Sequence, residues 1–233
     1  MRIYQHFAEA YSEIQRDLAE MGIRLHPKTY QDQHVEHDPG FDMLELQNYA
    51  YTILNPDPTA INTTQPWANA EWEERVEGIN GKPVNPGEAY KLRANVWETF
   101  LHQNPDSPAL FAYTYAERFA NCSQVRYVLE ALQNDQDSRQ GWISMWQSYD
   151  SMSLGGKSRV PCSLGWQLQI RGGSLHIHYI QRSADFVTHF QNDVFMSMML
   201  HRYCAKQLGV PVGRYAHTIF SMHMFKKDAE GVF

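Results

Sequence analysis

The stretch Trp166-Gln167-Leu168-Gln169-Ile170-Arg171-Gly172-Gly173-Ser174-Leu175-His176-Ile177-His178-Tyr179-Ile180-Gln181 alternates apolar and polar residues on both sides of a glycine pair. Period-two alternation puts every second side chain on one face of a pleated strand. Two adjacent glycines supply the positive φ that a tight hairpin turn needs. The spacing predicts two antiparallel strands, 166–171 and 174–181. Further strands are expected at 141–148, at 43–54 before the Asn55-Pro56-Asp57-Pro58 break, and at 219–225. Helical periodicity marks 67–77 with Gly78 as its stop, then 89–101 and 124–133. An apolar helix over 195–208 ends at Gly209-Val210-Pro211. At the start, Ile3, Phe7, Tyr11, Ile14 and Leu18 fall at helical spacing up to Gly22. Residues 25–39 read as polar loop and 80–87 as a turn-rich connector. Helices precede and then interrupt a mixed or antiparallel sheet, which makes the fold class α+β, read as a single domain over residues 1–233.

Twenty Lys and Arg against twenty-six Asp and Glu leave a net charge of −6 over 233 residues. A duplex-binding surface needs a basic footprint to displace counterions, so bulk nucleic acid is not the expected partner. A small anion remains compatible, because a few arginines can build a local site. Only Cys122, Cys162 and Cys204 occur, an odd and scattered set without metal-ligand spacing. A reducing, cytoplasmic setting without metal is the expectation. No apolar run approaches the ~20 residues of a membrane span, and the first residues lack the apolar core of a signal peptide.

Four motifs invite chemistry. Gly155-Gly156-Lys157-Ser158 looks like the end of a phosphate loop, but Ser151 stands where that pattern needs glycine, so a surface turn is expected. His176 and His178 share one strand face without a third metal ligand. Pro161-Cys162 follows Arg159, and a nearby cation lowers a thiol's pKa toward the nucleophilic thiolate. Finally, Gln181-Arg182-Ser183-Ala184-Asp185 places a guanidinium, a hydroxyl and a carboxylate together at a strand end, where an anion can be gripped.

Taken together, Pro161-Cys162, Gln167 five residues on, Gly173-Ser174-Leu175 and Gln181-Arg182-Ser183-Ala184-Asp185 resemble the catalytic half of the thymidylate synthase family. The segment 133–139 resembles the family's Asp-Pro-x-Ser-Arg-Arg, and His223-Met224-Phe225 its His-x-Tyr. Glu71 followed by Gly78 looks like its glutamate helix, and Tyr115 like its site tyrosine. The resemblance implies a thymidylate synthase-like fold with a sheet-to-sheet homodimer. It also implies a pyrimidine nucleoside monophosphate as substrate and 5,10-methylenetetrahydrofolate as co-substrate. Cys162 is then the nucleophile on C6, and Glu71 manages protons. Arg182 and Ser183 hold the phosphate, with Arg139 delivered from the partner subunit and Lys28 as a further candidate. Gln167 shapes the floor, Asp185 and Ser221 lie on the folate side, and His223 touches the sugar.

Two departures from the family pattern carry specificity. Asp193 stands where thymidylate synthases carry the asparagine that reads uracil; a carboxyl suits the amino group and N3 of cytosine instead. Ser221 replaces the family's aspartate two residues before its histidine. In both respects the chain resembles phage-type deoxycytidylate hydroxymethylases, which implies water capture of the one-carbon unit and 5-hydroxymethyl-dCMP as product. Methylation of dCMP, a dUMP enzyme and a non-catalytic nucleotide- or RNA-binding relative are the alternatives. Ser163, Gln140, His189 and Phe225 also depart from the pattern.

Overall fold

Gly172 and Gly173 take φ of 57° and 76°, the left-handed pair that a two-residue type I′ turn requires. The chain folds back there as an antiparallel hairpin. The structure, a computed structural model, describes residues 2–104 and 107–229. Its principal elements are β1 (Arg2–Tyr4), α1 (Phe7–Met21), β2 (Ile23–Leu25), β3 (Met43–Ile53), α2 (Trp67–Ile79), α3 (Tyr115–Ala120), α4 (Gln124–Asn134), β4 (Trp142–Ser144), β5 (Ser163–Arg171), β6 (Ser174–Asp185), α5 (Phe190–Leu208) and β7 (Val212–Phe225).

The strands form one sheet in the order β1-β3-β7-β6-β5-β4, with β2 also pairing β3. Strands β6 and β7 run parallel and are joined by α5, since parallel neighbours need a crossover, whereas β7 with β3 and β6 with β5 are antiparallel. The sheet is therefore mixed and the class α+β. Along β6, Leu175, Ile177, Tyr179 and Gln181 are buried, while His176, His178 and Ile180 on the alternate face are half-buried. Between Ile180 and Gln181 the register with β5 slips by one residue. Such a bulge re-aims side chains, and here it leaves the Arg182 amide donating to the Cys162 carbonyl at 2.7 Å.

Several expectations are corrected. The helix at 67–77 runs through Gly78 to Ile79. Gly78 is no stop; it is a point of close approach, where a Cβ would meet the Ala116 carbonyl oxygen at 2.2 Å. Residues 89–101 do not form one helix but a 3-10 turn, a single α-turn and another 3-10 turn. The break falls at Arg93 (φ −143°, ψ 42°), whose guanidinium donates to the Thr188 carbonyl and covers the Trp67 ring. Tertiary anchoring thus overrides local periodicity. Ile3 lies in β1 and is exposed, so the first helix begins at Phe7, burying Phe7, Ala10, Ile14 and Leu18. Strand 141–148 shortens to β4, and the last strand lengthens backward to Val212. The segment 25–39 contains a small two-stranded ribbon, Thr29–Tyr30 with Gln33–His34. Helix α5 starts at Phe190, which puts Asp193 in its first turn.

Candidate active site

The parallel pair β6 and β7 ends side by side, and the segment entering β5 lies against them. Around these ends is a cavity of about 310 Å³, walled further by α2, the segment 27–31, Trp97, Phe100, Phe111 and residues 113–116. Cys162 lies on its wall. The thiol is held between the Arg182 guanidinium (Nη2 to Sγ 3.8 Å) and the Gln31 amide (Nε2 to Sγ 3.9 Å). The thiol is raised above its ordinary value: burial is the largest cause and Asp193 adds to it, while Arg182, Arg159 and the Gln31 amide pull the other way. Arg182 also donates through Nε to the Pro161 carbonyl at 3.4 Å, so nucleophile and cation are tied through backbone and side chain alike.

Asp193 enters from the first turn of α5 and accepts from Gln181 Nε2 at 2.7 Å. Gln181 Oε1 can only accept, so His217 Nε2 carries the proton between them (3.1 Å), and His217 Nδ1 accepts from the Tyr51 hydroxyl at 2.9 Å. Burial holds His217 well below its usual value and hence neutral, which fixes the direction of this Tyr51–His217–Gln181–Asp193 relay. The Asp193 carboxyl is pushed up to about 6 by burial, against the Gln181 hydrogen bond and the charges of Arg75 and Arg93. Its neighbour Asn192 faces elsewhere, pairing with the Thr64 amide at 2.9 Å and the Thr64 hydroxyl at 3.3 Å. Asp193, not Asn192, lines the cavity.

Glu71 on α2 accepts from Arg75 Nε at 3.0 Å, and the Arg75 guanidinium lies 4.3 Å from the centre of the Tyr115 ring. Tyr115, placed at the start of α3 by the Thr114–Glu117 capping box, donates to Ser163 Oγ at 3.2 Å; burial pushes its phenol up to about 12. Ser163 Oγ lies 2.5 Å from the Tyr179 hydroxyl. The other end of the cavity is polar. Ser183 Oγ and His223 Nδ1 are 3.5 Å apart, and Ser221 donates to the buried Glu45. His223 is lowered by burial and stacks edge-on against Phe225. Asp185 Oδ1 accepts from the Val187 and Thr188 amides at 3.2 and 3.1 Å, fastening the turn into α5.

Nine of the twelve expected residues line this one cavity: Glu71, Tyr115, Cys162, Arg182, Ser183, Asp185, Asp193, Ser221 and His223. Three do not. Gln167 sits on an alternate position of β5, away from the cavity, and donates to the Arg139 carbonyl at 3.2 Å, so it does not form the floor. Arg139 is exposed on a loop fastened by Arg171 to the carbonyls of Gln136, Asp137 and Ser138. Lys28 is exposed beside the mouth, where Pro27 and Thr29 are the lining neighbours. The Gly155-Gly156 turn, with φ of 75° and 79°, is a turn as expected, yet it borders the cavity. Gln31, Arg75 and the aromatic wall at Trp97, Phe100, Phe111 and Tyr113 belong to none of the sequence motifs. They come from separate elements and carry no local spacing signal. Of the other thiols, Cys204 is buried and pushed up to about 12, and Cys122 is exposed. Among the described residues no three His, Cys, Asp or Glu side chains converge as a metal site, and no helix is long and apolar enough to cross a membrane.

Residues 62–232 match the family model described as thymidylate synthase. A protein of Methanocaldococcus jannaschii named "Putative thymidylate synthase" is 32% identical over 183 residues, covering 78% of this chain and 75% of that one. The thymidylate synthase of Bacillus mojavensis is 24% identical over 152 residues, covering 62% of this chain and 53% of its own length. Among solved structures, thermostable thymidylate synthase A from Bacillus subtilis superposes with a TM-score of 0.69 at 20% identity, covering 94% of this chain and 80% of that one, a likeness of fold.

Proposed function

The chain belongs to the thymidylate synthase family, and from that premise we propose that it transfers a one-carbon unit from 5,10-methylenetetrahydrofolate to C5 of dCMP. Cys162 adds to C6 of the base as the thiolate, making C5 nucleophilic. Arg182 and Ser183 bind the 5′-phosphate through charge-assisted hydrogen bonds, and that contact sets the distance of the ring from Sγ. Glu71, held by Arg75, moves protons at the base face through water. His223 reaches the sugar.

The residues of the cavity fit a folate. A flat heterocycle with N–H donors suits a pocket with the Trp97, Phe100 and Tyr113 rings on one side and the Asp185 carboxylate on another. Buried Trp97 Nε1 has no hydrogen-bond partner within the protein. When bound, the folate supplies a methylene group at the oxidation level of formaldehyde. Asp185 and Ser221 orient it.

The observation that carries the choice of base is Asp193. Its carboxyl faces the cavity, is anchored by Gln181 and is pushed up to about 6 by burial. Ionised, it accepts from the cytosine 4-amino group; protonated, it donates to N3. A uracil ring would set its O4 lone pairs against the same oxygens. Water then captures the one-carbon unit carried on C5, which gives 5-hydroxymethyl-dCMP and leaves tetrahydrofolate unoxidised. We assign the half-buried face of β5, β6 and β7 to a homodimer interface that brings Arg139 of one protomer to the phosphate of the other. A second reading, a dUMP enzyme, is favoured by the names of the relatives. Release of tritium from C5-labelled dCMP in the presence of methylenetetrahydrofolate tests the proposal. Release that depends on Cys162 and exceeds that from dUMP supports it; preference for dUMP replaces it with the second reading.

A further inference from the structure

Arg159 is held in an unusual way. Its guanidinium carbon lies 5.1 Å from the ring centre of Trp97, 4.9 Å from Phe100, 5.7 Å from Phe111 and 5.3 Å from Tyr113. Its Nε is buried without a hydrogen-bond partner. No carboxylate pairs with it among the described residues, unlike Arg75 with Glu71 or Arg118 with Asp150. Aromatic faces hold a cation without neutralising it, so the full charge of Arg159 remains available to the cavity it lines.

The thiol three residues on lines the same cavity and feels that charge. The groups facing Cys162 are Arg182 from β6, Asp193 from α5, Tyr30 from the ribbon, Tyr113 and Tyr115 from the α3 region, and Arg159 from its own segment. The tyrosines are raised by burial and stay neutral. Asp193 opposes the thiolate, and two guanidinium groups favour it. Those two differ in kind. Arg182 contacts Sγ and, in the function proposed above, also grips the phosphate; a bound dianion then offsets most of its field at sulfur. Arg159 is instead held among four rings.

We propose that Arg159 is a positioning residue for the nucleophile, an unpaired guanidinium that favours ionisation of the buried Cys162 thiol while Arg182 is occupied by the substrate's phosphate. The role rests on Cys162 being the nucleophile of the proposed reaction, but its test needs neither nucleotide nor folate. Iodoacetamide alkylation proceeds by attack of the thiolate on carbon, forming a C–S bond, expelling iodide and leaving the thiol proton in the buffer. Its rate against pH, read on the Cys162 peptide by mass spectrometry, reports the thiolate directly. The exposed Cys122 peptide in the same digest is the internal control.

Arg159→Met keeps an apolar stem in the cage and removes the charge. It is expected to move the Cys162 midpoint up by about one pH unit, a roughly tenfold slower reaction near neutrality, with Cys122 unchanged. Arg159→Lys keeps the charge and is expected to follow the wild type. Arg159→Gln repeats the neutral test with a different shape. Superimposable Cys162 profiles for wild type and both neutral variants overturn the proposal. So does a lysine variant shifted as far as the methionine one, which would assign the effect to shape. Either failure leaves tritium release from dCMP untouched, so the two readings fall separately.

Discussion

Replacing Asp193 by asparagine changes one ionisable atom pair and keeps the rest of the site, because the amide oxygen can still accept from Gln181 Nε2. Burial raises this carboxyl from 3.8 to about 6. A shift of about two units corresponds to about 3 kcal/mol. The sign follows from the direction. A carboxyl whose folded value lies above its unfolded value is at its most favourable below about pH 4, and that contribution is lost as pH rises through about 6. The amide that replaces it does not titrate. The variant is therefore expected to gain stability over the wild type as pH rises, converging at low pH and leading by up to ~3 kcal/mol near pH 8. Urea unfolding at a series of pH values and one fixed protein concentration measures this as a divergence in midpoint at constant slope. Ionisable groups that do not feel the Asp193 charge cancel in the difference. A wild-type-to-variant difference that stays flat from about pH 5 to 8 refutes the buried, raised carboxyl and the base-recognition argument with it. Catalysis gives a second reading of the same variant. An amide presents a donor to uracil O4, so the ratio of kcat/KM for dCMP over dUMP is expected to fall by roughly 10–100-fold, the worth of one buried pair mismatched.

Other expectations are simpler. Cys162→Ala abolishes C5 tritium release without changing the unfolding free energy by more than about 1 kcal/mol, checked by activity and urea unfolding in parallel. Gly78→Ala forces a methyl group against the Ala116 backbone and is expected to cost about 1–3 kcal/mol, seen as a lower thermal midpoint. His217→Phe keeps the stack on Tyr179, whose ring centre is 4.5 Å away, but strands the Gln181 carbonyl and the Tyr51 hydroxyl. A loss of about 1–3 kcal/mol in unfolding free energy, together with a weakened preference for dCMP, is expected. Asp150→Ala leaves Arg118 buried and unpaired, with an expected cost of about 3–5 kcal/mol by the same assay.

What is legible in the sequence has a local cause. Gly172-Gly173 marks the hairpin because the turn itself needs positive φ at both positions. The short motif 181–185 marks one wall of the cavity because Arg182, Ser183 and Asp185 lie on one strand terminus. Counting along the chain from Asp185 reaches Asp193, and α5 turns that count into a position facing the cavity. The misreadings are non-local. Gly78 reads as a helix stop, although the reason for glycine there is the Ala116 backbone of another helix. The break at Arg93 depends on Trp67 and Thr188, far away in sequence. Gln167 keeps its family spacing but faces the other side of the sheet, a question of strand parity that spacing to Cys162 does not decide once a bulge intervenes. Gln31 reaches the thiol across 131 positions, and no pattern along the chain announces it.

Transfer of a hydroxymethyl group to a cytosine nucleotide leaves a signature in mass. Equal dCMP and dUMP are incubated in one reaction with methylenetetrahydrofolate, and the nucleotides are weighed by mass spectrometry. The expected product is dCMP heavier by one CH2O unit, with dUMP largely untouched. A product one CH2 unit heavier than dUMP, with dCMP unchanged, contradicts the assignment.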